Sequence, residues 1–333
     1  MLVSWNTTKR CNLYCEHCYR DASDKAYKGE LNTQEGKKLI EDIKKAGFRL
    51  LIFSGGEPLM RKDIYELISY ADRLKLIPAL GTNGTLITKE VASKLKESGI
   101  RAAAISIDST DMNKHDKFRG KAGSFKRAME GIKNCLEVGI RVQINTTISK
   151  DNKEEILKLT DFAEMVGASS HHVFFLVATG RGKDIKDRFL DKDEYFDLLD
   201  VILERQRQTN IELKPTCAPQ FMSIAKEKDM DMRFTRGCIA GIKYCCVLPN
   251  GDVNICPYSP VNTGNIREKA FDDIWKNSPI FNRLRDFENY KGKCGVCSNI
   301  SICGGCRARA YEETGDYMEA DPLSTNCYIR EGR

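Results

Sequence analysis

Up to about residue 180 the chain alternates short apolar, β-branched runs with longer stretches whose apolar positions recur at helical spacing. The runs "LVSWNTT", "RLLIFSG", "LIPALGT", "RAAAISID", "IRVQINTTI" and "HHVFFLVA" predict six strands. Between them, "TQEGKKLIEDIKKAG", "RKDIYELISYADRLK", "TKEVASKLKESG", "SFKRAMEGIKNCLEVG" and "DNKEEILKLTDFAEMVG" predict helices, and "DKDEYFDLLDVILERQRQTN" predicts a sixth. Gly47, Gly99, Gly139 and Gly167 stand where left-handed C-terminal caps belong. Asn32 with Glu35, and Asp151 with Glu154, have the spacing of N-terminal capping pairs. Successive β–α units with short connections imply an α/β fold with a parallel sheet and right-handed crossovers. The reactive groups of such a fold sit at the carboxyl ends of its strands.

Beyond residue 210 the alternation stops and Gly, Pro, Cys and turn residues rise. The expected organisation is a core over 1–210, a connector over 211–237 and a small cysteine-organised domain over 238–333. Within the last, "YCCVLPNGDVNICPY" predicts a β-hairpin turning at Asn250–Gly251.

Composition narrows the function classes. The 333 residues are 41% hydrophobic, long enough for one large domain and a smaller one. The net charge of +6 comes from 53 basic and 47 acidic residues spread along the chain, without a basic block that would suit nucleic acid. No apolar run approaches the ~20 residues of a membrane span, and "MLVSWNTTKR" reads as a first strand rather than a signal peptide. The expectation is a cytoplasmic protein. Its fourteen cysteines would then stay reduced and favour metal sites over disulfides. Cys135, inside a helical repeat, is read as core.

Two groups of cysteines carry the chemistry. Cys11, Cys15 and Cys18 follow the first strand, in the loop layer where a site belongs. Three thiolates on a 4Fe–4S cube leave one iron open to an outside ligand. A structural zinc would want a closed set of four, with no fourth cysteine nearby and His17 poorly placed to turn inward. The second group is Cys238, Cys245, Cys246 and Cys256, then Cys294, Cys297, Cys303 and Cys306, then Cys327, where either zinc or iron–sulfur ligation fits the CxxC pairs.

The C-x3-C-x2-C spacing resembles the signature of radical S-adenosylmethionine (SAM) enzymes, and further stretches carry the likeness along the chain. "SGGEP" (54–58) ends the second strand, "GTNG" (81–84) the third and "ISID" (105–108) the fourth, with "KFRG" (117–120) after it. The resemblance implies a partial (β/α)6 TIM-like barrel. Cys11, Cys15 and Cys18 would hold the cluster; Gly55, Gly56, Glu57, Pro58, Thr82, Asn83, Ser106, Asp108 and Arg119 would bind SAM. The C-terminal pattern resembles the SPASM auxiliary-cluster domain. Carried over, Cys238, Cys245, Cys256 and Cys306 would hold one auxiliary 4Fe–4S cluster, and Cys294, Cys297, Cys303 and Cys327 a second; Cys246 is left as the odd thiol.

"HHVFFLVATGRG", "ELKPTCAPQFM", "FTRGCIAGIKYC" and "CGGCRARAY" resemble the radical SAM enzymes of the alternative haem and haem d1 routes. That likeness implies an iron-tetrapyrrole substrate, with removal of acetate side chains from didecarboxysirohaem to give Fe-coproporphyrin III. The alternatives are oxidative decarboxylation of Fe-coproporphyrin III and haem d1 side-chain removal. It also implies a small electron donor such as ferredoxin or flavodoxin, an anaerobic monomer, and no nucleic-acid or membrane partner. His171, His172 and Cys217 are the candidate catalytic residues, against plain packing roles; Arg181, Lys214, Arg236, Arg307 and Arg309 are candidate partners for porphyrin carboxylates. A peptide-maturing enzyme of the same class is the rival. With only ten residues ahead of Cys11, a leader-binding domain would find no room there.

Overall fold

A computed structural model of the chain describes residues 1–326. The strands are β1 (Leu2–Asn6), β2 (Leu50–Ser54), β3 (Ile77–Thr82), β4 (Ala102–Ser106), β5 (Arg141–Ile148), β6 (Ser170–Phe175), β7 (Glu212–Thr216), β8 (Tyr244–Val247), β9 (Asp252–Asn254) and β10 (Asn262–Asn265). The helices of the first half are α1 (Thr33–Lys45), α2 (Ile64–Arg73), α3 (Lys89–Glu97), α4 (Met112–Arg119), α5 (Ser124–Glu137) and α6 (Ile156–Met165). Those of the second half are α7 (Lys192–Gln206), α8 (Phe221–Glu227), α9 (Phe271–Asn277), α10 (Pro279–Arg285), α11 (Gly292–Gly295) and α12 (Arg307–Thr314).

Among the described residues the ten strands join one sheet in the order β10-β9-β8-β1-β2-β3-β4-β5-β6-β7. From β8 to β7 every pairing is parallel, and only β8–β9 and β9–β10 are antiparallel. The six expected β–α units are present. The stretch read as a connector holds β7 and α8, and the hairpin of the C-terminal part continues the barrel sheet through β8. Among the described residues no helix is long and apolar enough to cross a membrane.

The sheet's two faces explain the sequence pattern. In β5, Val142, Ile144, Thr146 and Ile148 are buried towards the helices, whereas Arg141, Gln143, Asn145 and Thr147 are not. Val142 and Ile144 join one core that includes Val3, Trp5, Leu51, Phe53, Leu80, Ala103 and Ile105, whereas Ile148 joins a second with Val173, Phe175 and Leu213. Burying each large apolar side chain there stabilises the fold by roughly 1.5–3 kcal/mol. In α1, Gly36 looks like a poor helix residue, costing about 1 kcal/mol against Ala. A Cβ there would lie 2.6 Å from Trp5, so the missing side chain is what lets α1 settle onto β1.

Helix ends follow the expected chemistry with one exception. Asn32 and Glu35 form a reciprocal capping box on α1. Gly47, Gly99, Gly139 and Gly167 all have positive φ just past their helices. The pair Asp151 and Glu154 does not cap: α6 begins at Ile156, after a single 3-10 turn at Lys153–Glu155. Asn152 is drawn inward instead, donating to the carbonyls of Asp108 (2.8 Å) and Thr147 (2.9 Å), while Asp151 pairs with Arg188.

Candidate functional site

Four loops meet above the carboxyl ends of β1 to β4. The chain leaving β1 is zipped to the loop after β2: Gly56 N donates to Thr8 O (2.7 Å) and Glu57 N to Arg10 O (2.8 Å). A Cβ on Gly55 would fall 2.4 Å from Thr8 O, and one on Gly56 2.3 Å from Arg10 O. Both glycines are required for that approach. Pro58, buried, opens the 3-10 turn that follows.

The loop holding Cys11, Cys15 and Cys18 is clamped from its other side. Tyr14 N and Glu16 N donate to the carbonyls of Arg119 (3.3 Å) and Phe118 (3.1 Å), and His17 stacks on Phe118 with ring centres 4.2 Å apart. Gly120, at φ +67, lies where a Cβ would sit 2.3 Å from Tyr14 O. "KFRG" is therefore a surface shaped to the cysteine loop. Helix α4, which carries most of it, escaped the apolar pattern because "MNKHDKFR" is almost wholly polar. Its start is fixed by Asp111, whose carboxylate accepts from Asn113 N and Lys114 N.

The three thiols pack together with Leu13 and Ala22. Each sulfur has a donor aimed at it: Leu13 N (3.4 Å) and Asn83 Nδ2 (3.9 Å) at Cys11, Arg119 Nη1 (3.8 Å) at Cys15, and Ala22 N (3.4 Å) at Cys18. Burial pushes the Cys11 thiol up to about 12 and raises Cys15 despite its Arg119 neighbour. Thiolates in this loop therefore need a positive partner, which iron supplies. The donor set, its burial and the N–H groups aimed at sulfur fit an iron–sulfur cluster.

Two acids hold the surrounding loops. Glu57 is fully buried; its carboxylate accepts from Asn83 N (2.9 Å) and Leu59 N (3.2 Å), with the Thr82 hydroxyl 2.8 and 2.9 Å from its two oxygens. Burial lifts it to about 7 against the pull of those donors. Asp108 is buried too, accepting from Arg119 Nε (2.5 Å) and Thr147 N (2.8 Å). Burial works to raise it, but the guanidinium of Arg119 wins and holds it below the usual carboxylate range. Glu57 and Asp108 thus position Asn83 and Arg119, which reach the cysteine loop. Asn83 also bonds Asn12 Oδ1 (2.9 Å), a link that no short motif announces. Ser106 is half-buried at the end of β4.

Facing Ser106 across the sheet runs a row set by register: Ser106, Asn145, His172 and Lys214. His172 sits on the inner face with its Nε2 2.9 Å from Glu212 Oε1. His171 does not. It is completely buried on the helix side, its two ring nitrogens 3.0 Å from Thr160 Oγ1 and 2.9 Å from Thr146 Oγ1. Burial lowers it to about 3. Both nitrogens are committed, so His171 is corrected from candidate catalyst to core residue.

The basic residues divide similarly. Arg181 donates to the carbonyls of Cys15 (2.8 Å) and Ala22 (3.0 Å) and lies over Tyr14. Arg236 holds the carbonyls of Cys238 and Ile300, and Arg307 those of Tyr317 and Glu319. Arg309 makes a two-toothed pair with Asp321 (2.7 and 2.9 Å). These four brace cysteine-bearing loops. Lys214 alone of the five faces the inner row, its ammonium 4.2 Å from the Phe234 ring centre.

At the C-terminal end, Cys256 and Cys306 pack in one buried cluster with Cys217 and Cys238 against it. Cys245 is elsewhere. It pairs in register with Val3 and lies in the helix-side core. Cys246, on the opposite face, accepts from Arg20 Nη2 at 3.7 Å. Cys294, Cys297 and Cys303 line one small cavity with Gly304, Gly305 and Ser324. Cys327 lies outside the described residues. Cys135 is buried in α5, as expected. Among the described residues no three His, Cys, Asp or Glu side chains converge tightly enough for a single ion. A cubane does not ask for that, because each thiolate takes its own iron.

Parallel strands gathering a three-thiol loop at their carboxyl ends, followed by a cysteine-rich hairpin domain, define the class. The family model of the radical SAM superfamily matches residues 5–163, and that of the SPASM iron–sulfur cluster-binding domain matches 238–307. The chain belongs to the radical SAM superfamily and carries a SPASM domain; it is an enzyme of haem biosynthesis whose cofactors are 4Fe–4S clusters and SAM. It is similar to an "AdoMet-dependent heme synthase" of Methanosarcina barkeri, 41% identical over all of this chain and 97% of that one. A "Fe-coproporphyrin III synthase" of the same organism is 34% identical over 98% of this chain and 88% of that one. Among solved structures, Streptococcus suis SuiB bound to S-adenosylmethionine superposes with a TM-score of 0.78 at 21% identity, over 97% of this chain and 77% of that one. That last likeness speaks to the fold.

Proposed function

We propose that this chain converts an iron tetrapyrrole to haem by oxidative decarboxylation of the propionates of Fe-coproporphyrin III. What supports this reading over acetate removal is the ordering of relatives within one organism: 41% identity to the heme synthase against 34% to the Fe-coproporphyrin III synthase. When bound at Cys11, Cys15 and Cys18, the cluster and SAM supply a 5′-deoxyadenosyl radical that takes a hydrogen atom from substrate. Two of the four propionates react; each loses one hydrogen atom, carbon dioxide and one electron to become a vinyl group, and the other two are kept. The electron passes to a one-electron redox protein of the ferredoxin or flavodoxin class.

The chain's own residues supply position and shelter. Gly55, Gly56, Pro58, Thr82 and Ser106 line the SAM side, with Glu57 and Asp108 fixing Asn83 and Arg119 there. His172 and Lys214 lie on the substrate side, where a Lys ammonium suits a propionate carboxylate. Cys294, Cys297, Cys303 and Cys327 hold one auxiliary cluster. The enzyme works as a cytoplasmic monomer away from oxygen.

The test is anaerobic incubation of the reconstituted enzyme with SAM and dithionite, given Fe-coproporphyrin III or didecarboxysirohaem in parallel. Mass spectrometry should show Fe-coproporphyrin III losing two formate-sized units and didecarboxysirohaem left unchanged. Loss of acetate units from didecarboxysirohaem alone would assign the other reaction.

A further inference from the structure

The resemblance to the SPASM pattern implies a first auxiliary cluster held by Cys238, Cys245, Cys256 and Cys306. The fold offers a different fourth sulfur. Cys245 and Cys246 are neighbours on β8, so their side chains leave opposite faces of the sheet. Cys245 takes the helix side with Val3, near Arg285, and is wholly inaccessible in the main hydrophobic core. On the opposite side, Cys217 packs with Cys238, Cys256 and Cys306 in one compact group.

Cys217 is held there by more than its place in the chain. It is the first residue past β7, a carboxyl-end position like that of the N-terminal cysteine loop. Its φ of +60 is a left-handed conformation that a non-glycine residue adopts at a cost of the order of 1–3 kcal/mol. Such strain persists only where the surroundings impose it. Arg309 imposes it: Nη1 donates to Cys217 O (3.1 Å), while Nε and Nη2 grip Asp321. Asp321 in turn accepts from Cys306 N at 2.6 Å and from Gln220 Nε2 at 2.9 Å. One buried ion pair therefore ties the Cys217 turn to the start of α12, where Cys306 sits.

We infer that Cys217, not Cys245, completes the first auxiliary cluster, with Cys238, Cys256 and Cys306. This rests on the SPASM thiols holding a 4Fe–4S cluster. The cluster then has a mechanical consequence. Cys217 follows β7, at one edge of the sheet, and Cys256 follows β9, near the other. A shared cubane joins the two ends of an open barrel, so the auxiliary cluster acts as its clasp.

The experiment measures iron and sulfide per chain, and the electron paramagnetic resonance spectrum after reduction, on anaerobically reconstituted full-length protein. Wild type, Cys238→Ala, Cys217→Ala, Cys217→Ser and Cys245→Ala are compared, with circular dichroism confirming the fold of each. Cys217→Ala and Cys238→Ala should each lose about four irons, or keep a cluster with a new, exchangeable iron signal. Cys217→Ser, able to ligate weakly through oxygen, should fall between them and wild type. Cys245→Ala should keep the full count and an unchanged spectrum. The inference is overturned if Cys217→Ala keeps the full iron count with the wild-type spectrum, or if Cys245→Ala loses the cluster. If Cys238→Ala loses no iron either, the cluster reading itself fails.

Discussion

His171 shows how burial decides what a titratable side chain does. It alternates with Val173 and Phe175, both buried, so the two-residue period of a strand already put it on the apolar face; "HHVFF" hid this because His172 shares its name and Phe174 its character. Held to about 3 by burial, against roughly 6.5 for a free imidazole, it enters the fold neutral. Between those values the unfolded chain binds the extra proton, so stability rises with pH there. Its contribution is fully present above about pH 6.5 and is lost as pH falls towards about 3. His171→Gln should therefore show a shallower dependence of unfolding midpoint on pH, from about 4.5 to 6.5, than wild type. Parallel curves for the two would refute this. At this scale the N-terminal triad was legible from spacing alone. Cys217 was visible as a thiol but not as a member of a set, because its partners lie far along the chain.

At the scale of elements, what the sequence conceals is whatever tertiary contact makes. Six strands and six helices follow from apolar period and glycine caps. β7 escaped because "ELKPT" carries charge and a proline; it survives as a strand since it lies at the sheet edge, where Pro215 need not donate. α4 escaped because its stability comes from contacts with the cysteine loop. The loop after β7 depends likewise on Arg309 and Asp321, whose carboxylate is wholly buried. Arg309→Ala leaves that charge without its partner and frees the Cys217 carbonyl. It should cost about 3–5 kcal/mol in anaerobic denaturant unfolding. A loss below about 1 kcal/mol would mean that the pair does not brace the turn.

Across the whole molecule, barrel and SPASM hairpin form one continuous sheet, since β8 extends it beyond β1. The domain boundary visible as a change of composition is thus a change of chemistry more than of architecture. Tyr19 of the cysteine loop lies against Tyr258 beyond β9, with ring centres 4.9 Å apart, so the two cysteine-bearing regions touch. Such closeness suits a site that must make a radical beside its target and keep water away. The central claim is that Cys11, Cys15 and Cys18 hold a cluster with one iron open to SAM. Formation of 5′-deoxyadenosine from SAM and dithionite, in reconstituted wild type against Cys15→Ala, tests it most directly. Wild type should form it and the variant should not; equal formation by both would contradict the claim.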